Sequence, residues 1–153
     1  MARARALLAS GALFRDDRDR VLLVEPSYKD LWEIPGGVVD VGETPYETCV
    51  REISEELGLE LRPGRLLVVD YCRRPYVPTE GIRFLFDGGW LDARTERSIR
   101  LPADELLAHR FATLDEAADL VAPDLHRRLV VAVTGSKAES TAYLEDGVAV
   151  AGG

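Results

Sequence analysis

The chain has 153 residues, 46% of them apolar, with 27 acidic against 19 basic side chains and a formal net charge of −8 at pH 7. Length and apolar content fit one globular domain with a single adequate core rather than a disordered chain. The negative charge works against binding a nucleic-acid polymer without a basic stripe, and no apolar run approaches the roughly 20 residues that span a bilayer. Two cysteines, Cys49 and Cys72, offer neither metal-ligand spacing nor a disulfide framework, which fits a reduced, cytosolic protein.

The first residues, MARARALLASGALF, place two arginines before a short apolar run. A secretory signal is disfavoured because Arg15-Asp16-Asp17 follows at once, and the run reads instead as a first strand. Strands are predicted near 4–14 and 20–26, joined as a hairpin through the polar turn 15–19. Leu31-Trp32-Glu33-Ile34-Pro35-Gly36-Gly37 reads as a short strand entering a tight turn, with Pro35 biasing Ile34 towards extended backbone and the glycine pair admitting close approaches. A helix follows over 45–57. Strands at 66–71 and 82–86 flank a loop punctuated by Pro75, Pro78 and Gly81. Residues 91–102 are polar and turn-like. A strand at 109–113 leads through Leu114-Asp115-Glu116 into a helix, and 122–133 gives another with Leu125, Leu129, Val130 and Val133 on one side. One domain over 1–134 is expected, followed by a Gly-, Ala- and Ser-rich tail, 135–153, in which Ala142-Tyr143-Leu144 and Val148-Ala149-Val150 can add a late strand or hairpin. This order of elements predicts an α/β protein with a mixed sheet covered by helices.

The 45–57 helix carries the chemistry. Thr44 and Glu47 form a capping box, Pro45 occupies the first helical position, and Gly58 suits the left-handed residue that closes a helix. Tyr46, Cys49, Val50, Ile53 and Leu57 make one apolar stripe that must face a core. Beside it Glu52, Glu55 and Glu56 fall at i, i+3 and i, i+4 spacing, which brings three carboxylates to one flank. A charge run of this kind usually marks a solvated face. An unsaturated carboxylate cluster also suits a hard divalent cation that keeps several waters and is completed by substrate phosphates. Arg51 lies one turn from both Glu47 and Glu55, where an ordinary surface ion pair would suffice. Glu43 precedes the helix, where a negative charge meets the positive end of the dipole.

Between Gly37 and Leu59 the residues GVVDVGETPYETCVREISEELGL place Gly37, Glu43, Arg51, Glu52, Glu55, Glu56 and Gly58 at fixed offsets. With backgrounds of roughly 5–10% per position, a chance match is on the order of one in 10⁸. The segment fills every position of the Nudix box, and the chain resembles the Nudix hydrolase superfamily of MutT-like proteins. That resemblance implies an α/β/α sandwich around a central mixed sheet, covering residues 4–134 at least. It implies hydrolysis of the pyrophosphate linkage in a nucleoside diphosphate joined to another group, dependent on Mg²⁺ or Mn²⁺.

By the same resemblance Glu52, Glu55 and Glu56 hold the metal, and Glu52 or Glu55 doubles as general base, with Arg51 orienting a catalytic glutamate. Gly36 offers a backbone carbonyl to the metal, while Gly37 and Glu43 support the site. In some relatives the base lies outside the box, and Asp104 and Glu105, just before the 109–113 strand, are the acidic candidates here. Arg73, Arg74 and Tyr76, around Pro75, supply cations for phosphate and an aromatic face for a base. Nucleoside triphosphates, ADP-ribose or another nucleotide sugar, and dinucleoside polyphosphates all fit. The expected partner is therefore a small nucleotide, with no nucleic-acid polymer and no membrane; many relatives are homodimers. The alternative function is a nucleotide-sensing module without catalysis, although such modules commonly lose box carboxylates. A diphosphate isomerase of the same fold is disfavoured because it would rely on a cysteine, whereas Cys49 lies on the apolar stripe.

Overall fold

The computed structural model describes residues 2–73 and 79–150. In chain order the elements are β1 (Leu7–Arg15), β2 (Val21–Pro26), β3 (Gly36–Val38), α1 (Pro45–Leu57), β4 (Leu66–Cys72), β5 (Gly81–Trp90), α2 (Ala93–Arg97), β6 (Leu106–Ala112), α3 (Leu114–Leu120), α4 (Pro123–Ala138), β7 (Ala142–Glu145) and β8 (Val148–Ala149). The strands form one mixed sheet in the order β6-β2-β1-β5-β4-β7-β8, with β3 paired to β1 beside β2. The β1–β5 and β4–β7 pairings are parallel and the others antiparallel.

Strands buried on both faces need apolar side chains at successive positions, and β1 and β2 supply them. Ala12, Phe14, Leu22, Val24 and Phe86 pack on one face against Cys49, Ile53 and Leu57 of α1. Leu13, Val21, Leu23 and Leu85 point to the other face, where Ala117 of α3 and Leu125 and Leu129 of α4 cover them. The sheet is thus the middle layer of an α/β/α sandwich. Thr44 forms the capping box with Glu47, Pro45 opens α1, and Gly58 closes it at φ 68°. Burying Ile53 and Leu57, each at most 1% exposed, contributes about 1.5–3 kcal/mol apiece and clamps α1 to the sheet.

The structure departs from the sequence reading in four places. The segment 91–102 contains α2, capped by Asp92, whose side chain accepts the Thr95 N–H. With five residues and none buried, it shows no apolar stripe in sequence. At 31–34 only an isolated bridge, Val24 to Glu33, forms before β3 begins at Gly36. The strand expected from 109 starts at Leu106, because β6 pairs with β2 along its length. The boundary placed at 134 falls inside α4, and β7 then joins β4 in parallel while β8 folds back on β7. Leu144 is fully buried in that addition.

A buried ion pair fastens α4 to the sheet. Arg128, 3% exposed, donates from Nε to Asp70 at 2.8 Å and from Nη2 to Asp124 at 3.1 Å, and Asp70, 0% exposed, also accepts the Gly147 N–H at 3.0 Å. Removing one partner strands a charge in a dry environment, which costs about 3–5 kcal/mol. Arg128→Met is therefore expected to lose about that much stability in urea denaturation, with Asp70→Asn added to it recovering part of the loss.

Candidate active site: a buried carboxylate pair at the edge of a cleft

α1 carries three glutamates, and the fold treats them differently. Glu56, 8% exposed, accepts the Gly36 N–H at 2.7 Å. Glu52 accepts from Arg51 Nη1 at 3.0 Å and lies against Gly37, where any Cβ would collide with its Oε1. A side chain at Gly37 would push the Glu52 carboxylate out of its present position. Glu52 and Glu56 lie one helical turn apart, and each carboxylate feels the other. Burial pushes both carboxyls above the usual range; the Gly36 N–H partly offsets this at Glu56, and Arg51 partly offsets it at Glu52. Glu55, by contrast, is 57% exposed at its side chain and accepts from Arg51 Nη1 at 3.2 Å.

Arg51 organises the flank. Its Nε and Nη2 fork onto Glu43 at 2.7 and 2.9 Å, Nη2 also reaches the Val38 carbonyl at 3.3 Å, and Nη1 is shared by Glu52 and Glu55. A planar guanidinium suits this arrangement because two parallel bonds fix its orientation. The fork from Arg51 first, and the Thr48 hydroxyl at 2.5 Å second, hold the Glu43 carboxyl down at about 2. Glu43 therefore stays ionised and pins Arg51, which raises the arginine's own proton affinity.

The remaining expected residues fall as follows. Gly36 positions Glu56 through its N–H. Glu105 is exposed at the turn before β6, near enough for its charge to raise the proton affinity of Glu56, whereas Asp104 contributes its carbonyl to the Ser27 hydroxyl. Arg73 binds Asp146 through its backbone N–H at 2.7 Å and its guanidinium at 2.9–3.0 Å. Arg74, Pro75 and Tyr76 lie outside the described residues. Among the described residues no three acidic, histidine or cysteine side chains converge to enclose a metal. The Glu52–Glu56 pair instead fits an open site, in which one or two carboxylates hold a hexacoordinate cation and substrate phosphates complete it. Two buried anions with raised proton affinity are a charge defect that a divalent cation would relieve. Cys49 is fully buried on α1, its thiol pushed up to about 12 by burial and by Glu52, so it offers no nucleophile.

A cleft of about 290 Å³ opens beside the pair, lined by Gly36, Gly37, Glu56, Ala9, Gly11 and Arg83 among others. Sequence reasoning passed over Arg83; the signal was a lone cation in the apolar run Ile82-Arg83-Phe84-Leu85-Phe86.

The NUDIX domain family matches residues 6–132, and the chain belongs to that family. It is 48% identical over 71 residues to mouse diphosphoinositol polyphosphate phosphohydrolase 3-alpha, covering 42% of this chain and 43% of the relative. The chain spans under half the length of the curated relatives it matches. Among solved structures, a UDP-X diphosphatase superposes with a TM-score of 0.75 at 23% identity, covering 94% of this chain and 69% of the other. An ADP-ribose pyrophosphatase from Streptococcus suis superposes with a TM-score of 0.65 at 22% identity, covering 92% and 99%. Hydrolases of this family generally use divalent metal ions. No helix among the described residues is long and apolar enough to cross a membrane.

Two outcomes follow from the geometry. In metal-free buffer the native protein retains a proton on the Glu52–Glu56 pair that the unfolded chain releases, so stability should fall as pH rises from the ordinary carboxylate range through neutrality. Thermal melts across that window should show this slope in the wild type and a flatter one in Glu56→Gln. Gly37→Ala should displace Glu52 and abolish stabilisation by Mn²⁺ while far-UV circular dichroism stays unchanged.

Proposed function

We propose that this chain hydrolyses the pyrophosphate linkage of a nucleoside diphosphate joined to another group, using Mg²⁺ or Mn²⁺ held by Glu52 and Glu56. The observation that carries the reading is the buried carboxylate pair at the edge of the cleft. Ordinary surface acids are not kept out of water against each other, and the arrangement makes chemical sense once a cation shares the site. When bound, the metal would neutralise phosphate oxygens and lower the pKa of a water.

The chain's own residues divide the remaining work. Glu55, exposed and tethered to Arg51 Nη1, is placed to accept the proton of the attacking water. Glu52, mostly buried and one helical turn from Glu56, would serve as a ligand. Arg51 orients both, and Glu43 with Thr48 keeps Arg51 in place. Gly36 fixes Glu56 through its N–H. Glu105, whose charge acts on Glu56, is the candidate acid outside the helix. The chain's cytosolic setting, and its action on a small nucleotide, belong to the same proposal.

The curated relatives and structural neighbours are named for diphosphoinositol polyphosphates, UDP-linked groups and ADP-ribose, which supports anhydride cleavage without singling out a substrate. A release assay for phosphate or pyrophosphate should therefore span nucleoside triphosphates, ADP-ribose, UDP-sugars, dinucleoside polyphosphates and diphosphoinositol polyphosphates. Metal-dependent turnover of one class is expected. Glu55→Gln should lower kcat by roughly 10²–10⁴-fold while Mn²⁺ affinity is retained, since general base catalysis is worth about that much. Glu52→Gln and Glu56→Gln should lose Mn²⁺ binding itself. Wild-type protein that binds a nucleotide and turns over none of the panel would point to a sensing module instead.

A further inference from the structure

The floor of the cleft is unusual for what it lacks and for the one charge it holds. β3, β1 and β5 lie side by side there, with Val38 opposite Ala9 and Ala9 opposite Arg83, and with Gly36 opposite Gly11 and Gly11 opposite Leu85. Ala9 and Gly11 line the cleft between the carboxylate edge and β5, with the Gly11 Cα packed close to Ile34 and Pro35. Arg83 stands about two strand spacings from Val38, roughly 9–10 Å away along the sheet.

Among the described residues three cations line the cleft: Lys29, Arg83 and Arg128. Lys29 is bonded to Glu33, and Arg128 to Asp70 and Asp124. The Arg83 guanidinium has no hydrogen bond or ion pair among the described residues. Its cross-strand neighbour is Asp70, but both Asp70 oxygens are already taken, by Arg128 Nε and by the Gly147 N–H. Residues 74–78, outside the described residues, include no acid. Every other arginine that is buried or partly buried has an acidic or carbonyl partner: Arg15 with Asp19, Arg20 with Asp16, Arg51 with Glu43, Arg65 with two carbonyls, Arg110 with Glu116. In a chain of net charge −8, a partly buried guanidinium with no counter-ion among the described residues, facing a cleft, is poised for an anion from outside.

We propose that Arg83 is a substrate-binding and specificity-determining residue, which forks onto a phosphate of the nucleoside diphosphate moiety across the cleft from Glu52 and Glu56. The inference rests on the reading of this cleft as the substrate site. It gives the negatively charged protein a metal-independent hold on an anionic ligand, and it selects substrates bearing a phosphate beyond the reach of the carboxylate-bound cation. The guanidinium does this better than an ammonium because two parallel bonds to one phosphate fix its orientation.

The test is isothermal titration of ADP and UDP, with adenosine and uridine as uncharged controls, in EDTA, against wild type, Arg83→Gln and Arg83→Lys. A hydrogen bond to a charged group contributes about 1.5–3 kcal/mol, so Arg83→Gln should weaken diphosphate binding on the order of 10- to 100-fold. Arg83→Lys should retain part of the affinity, and the nucleosides should bind all three proteins alike. With metal and a turned-over substrate, the loss in Arg83→Gln should fall on KM rather than kcat. Equal diphosphate affinity in wild type and Arg83→Gln, or no metal-free binding by wild type, would overturn the assignment. Arg83-dependent binding with no hydrolysis anywhere would instead sink the hydrolase reading and leave Arg83 in place.

Discussion

The site depends on one contact that would be unfavourable by itself: Glu52 and Glu56, one helical turn apart, facing each other largely out of water. Neither burial nor repulsion favours that arrangement, so the rest of the structure must impose it. The apolar stripe of α1 does most of this, because Cys49, Ile53 and Leu57 are packed into the core between helix and sheet and leave the helix no freedom to roll. The Gly36 N–H then holds one carboxylate, and Arg51 the other. A side chain at Gly37 would occupy the space that Glu52 needs. A helix pinned so firmly can carry carboxylates in a poor electrostatic environment, which is what an open cation site requires.

Arg51 links this pair to solvent. Because Glu43 is held ionised and grips the guanidinium with two bonds, Arg51 reaches Glu52 and Glu55 from a fixed position, so the buried and the exposed carboxylate keep a constant relation. The sheet supplies the other half of the site. β3 runs beside β1 in place of β2, bringing Gly36 and Gly37 to the edge over α1, and the small residues of β1 carry the cleft from there towards β5. On the proposed reading, hydrolytic chemistry and ligand capture fall to separate elements of one scaffold.

Much of this was legible in the sequence where the signals are local. The capping box, the proline at the first helical turn and the closing glycine gave α1 its bounds over 45–57, and the same short segment showed that its glutamates share a flank. What local patterns could not show was how the three glutamates differ. Glu56 is buried by contact with a glycine 20 residues away, and Glu55 is left in solvent, a distinction created by tertiary packing. Arg73 looked like a phosphate ligand, yet it is committed to Asp146, 73 residues on, through a hairpin whose place in the sheet its composition concealed. The short helix α2 buries nothing and so leaves no periodic trace. Arg83 was visible as a misplaced charge in an apolar strand, but its meaning depends on Asp70 being occupied by Arg128, which no single-strand pattern reveals.

The central claim is that the Glu52–Glu56 pair is a cation site kept partly protonated until the cation arrives. Calorimetric titration of Mn²⁺ at neutral pH, repeated in buffers of different ionisation enthalpy, tests it directly, because metal binding to a protonated ligand releases protons whose heat depends on the buffer. The account predicts saturable binding with a buffer-dependent heat reporting proton release, absent in Glu56→Gln. Saturable binding that survives in Glu56→Gln, or a wild-type heat that is the same in every buffer, would contradict it.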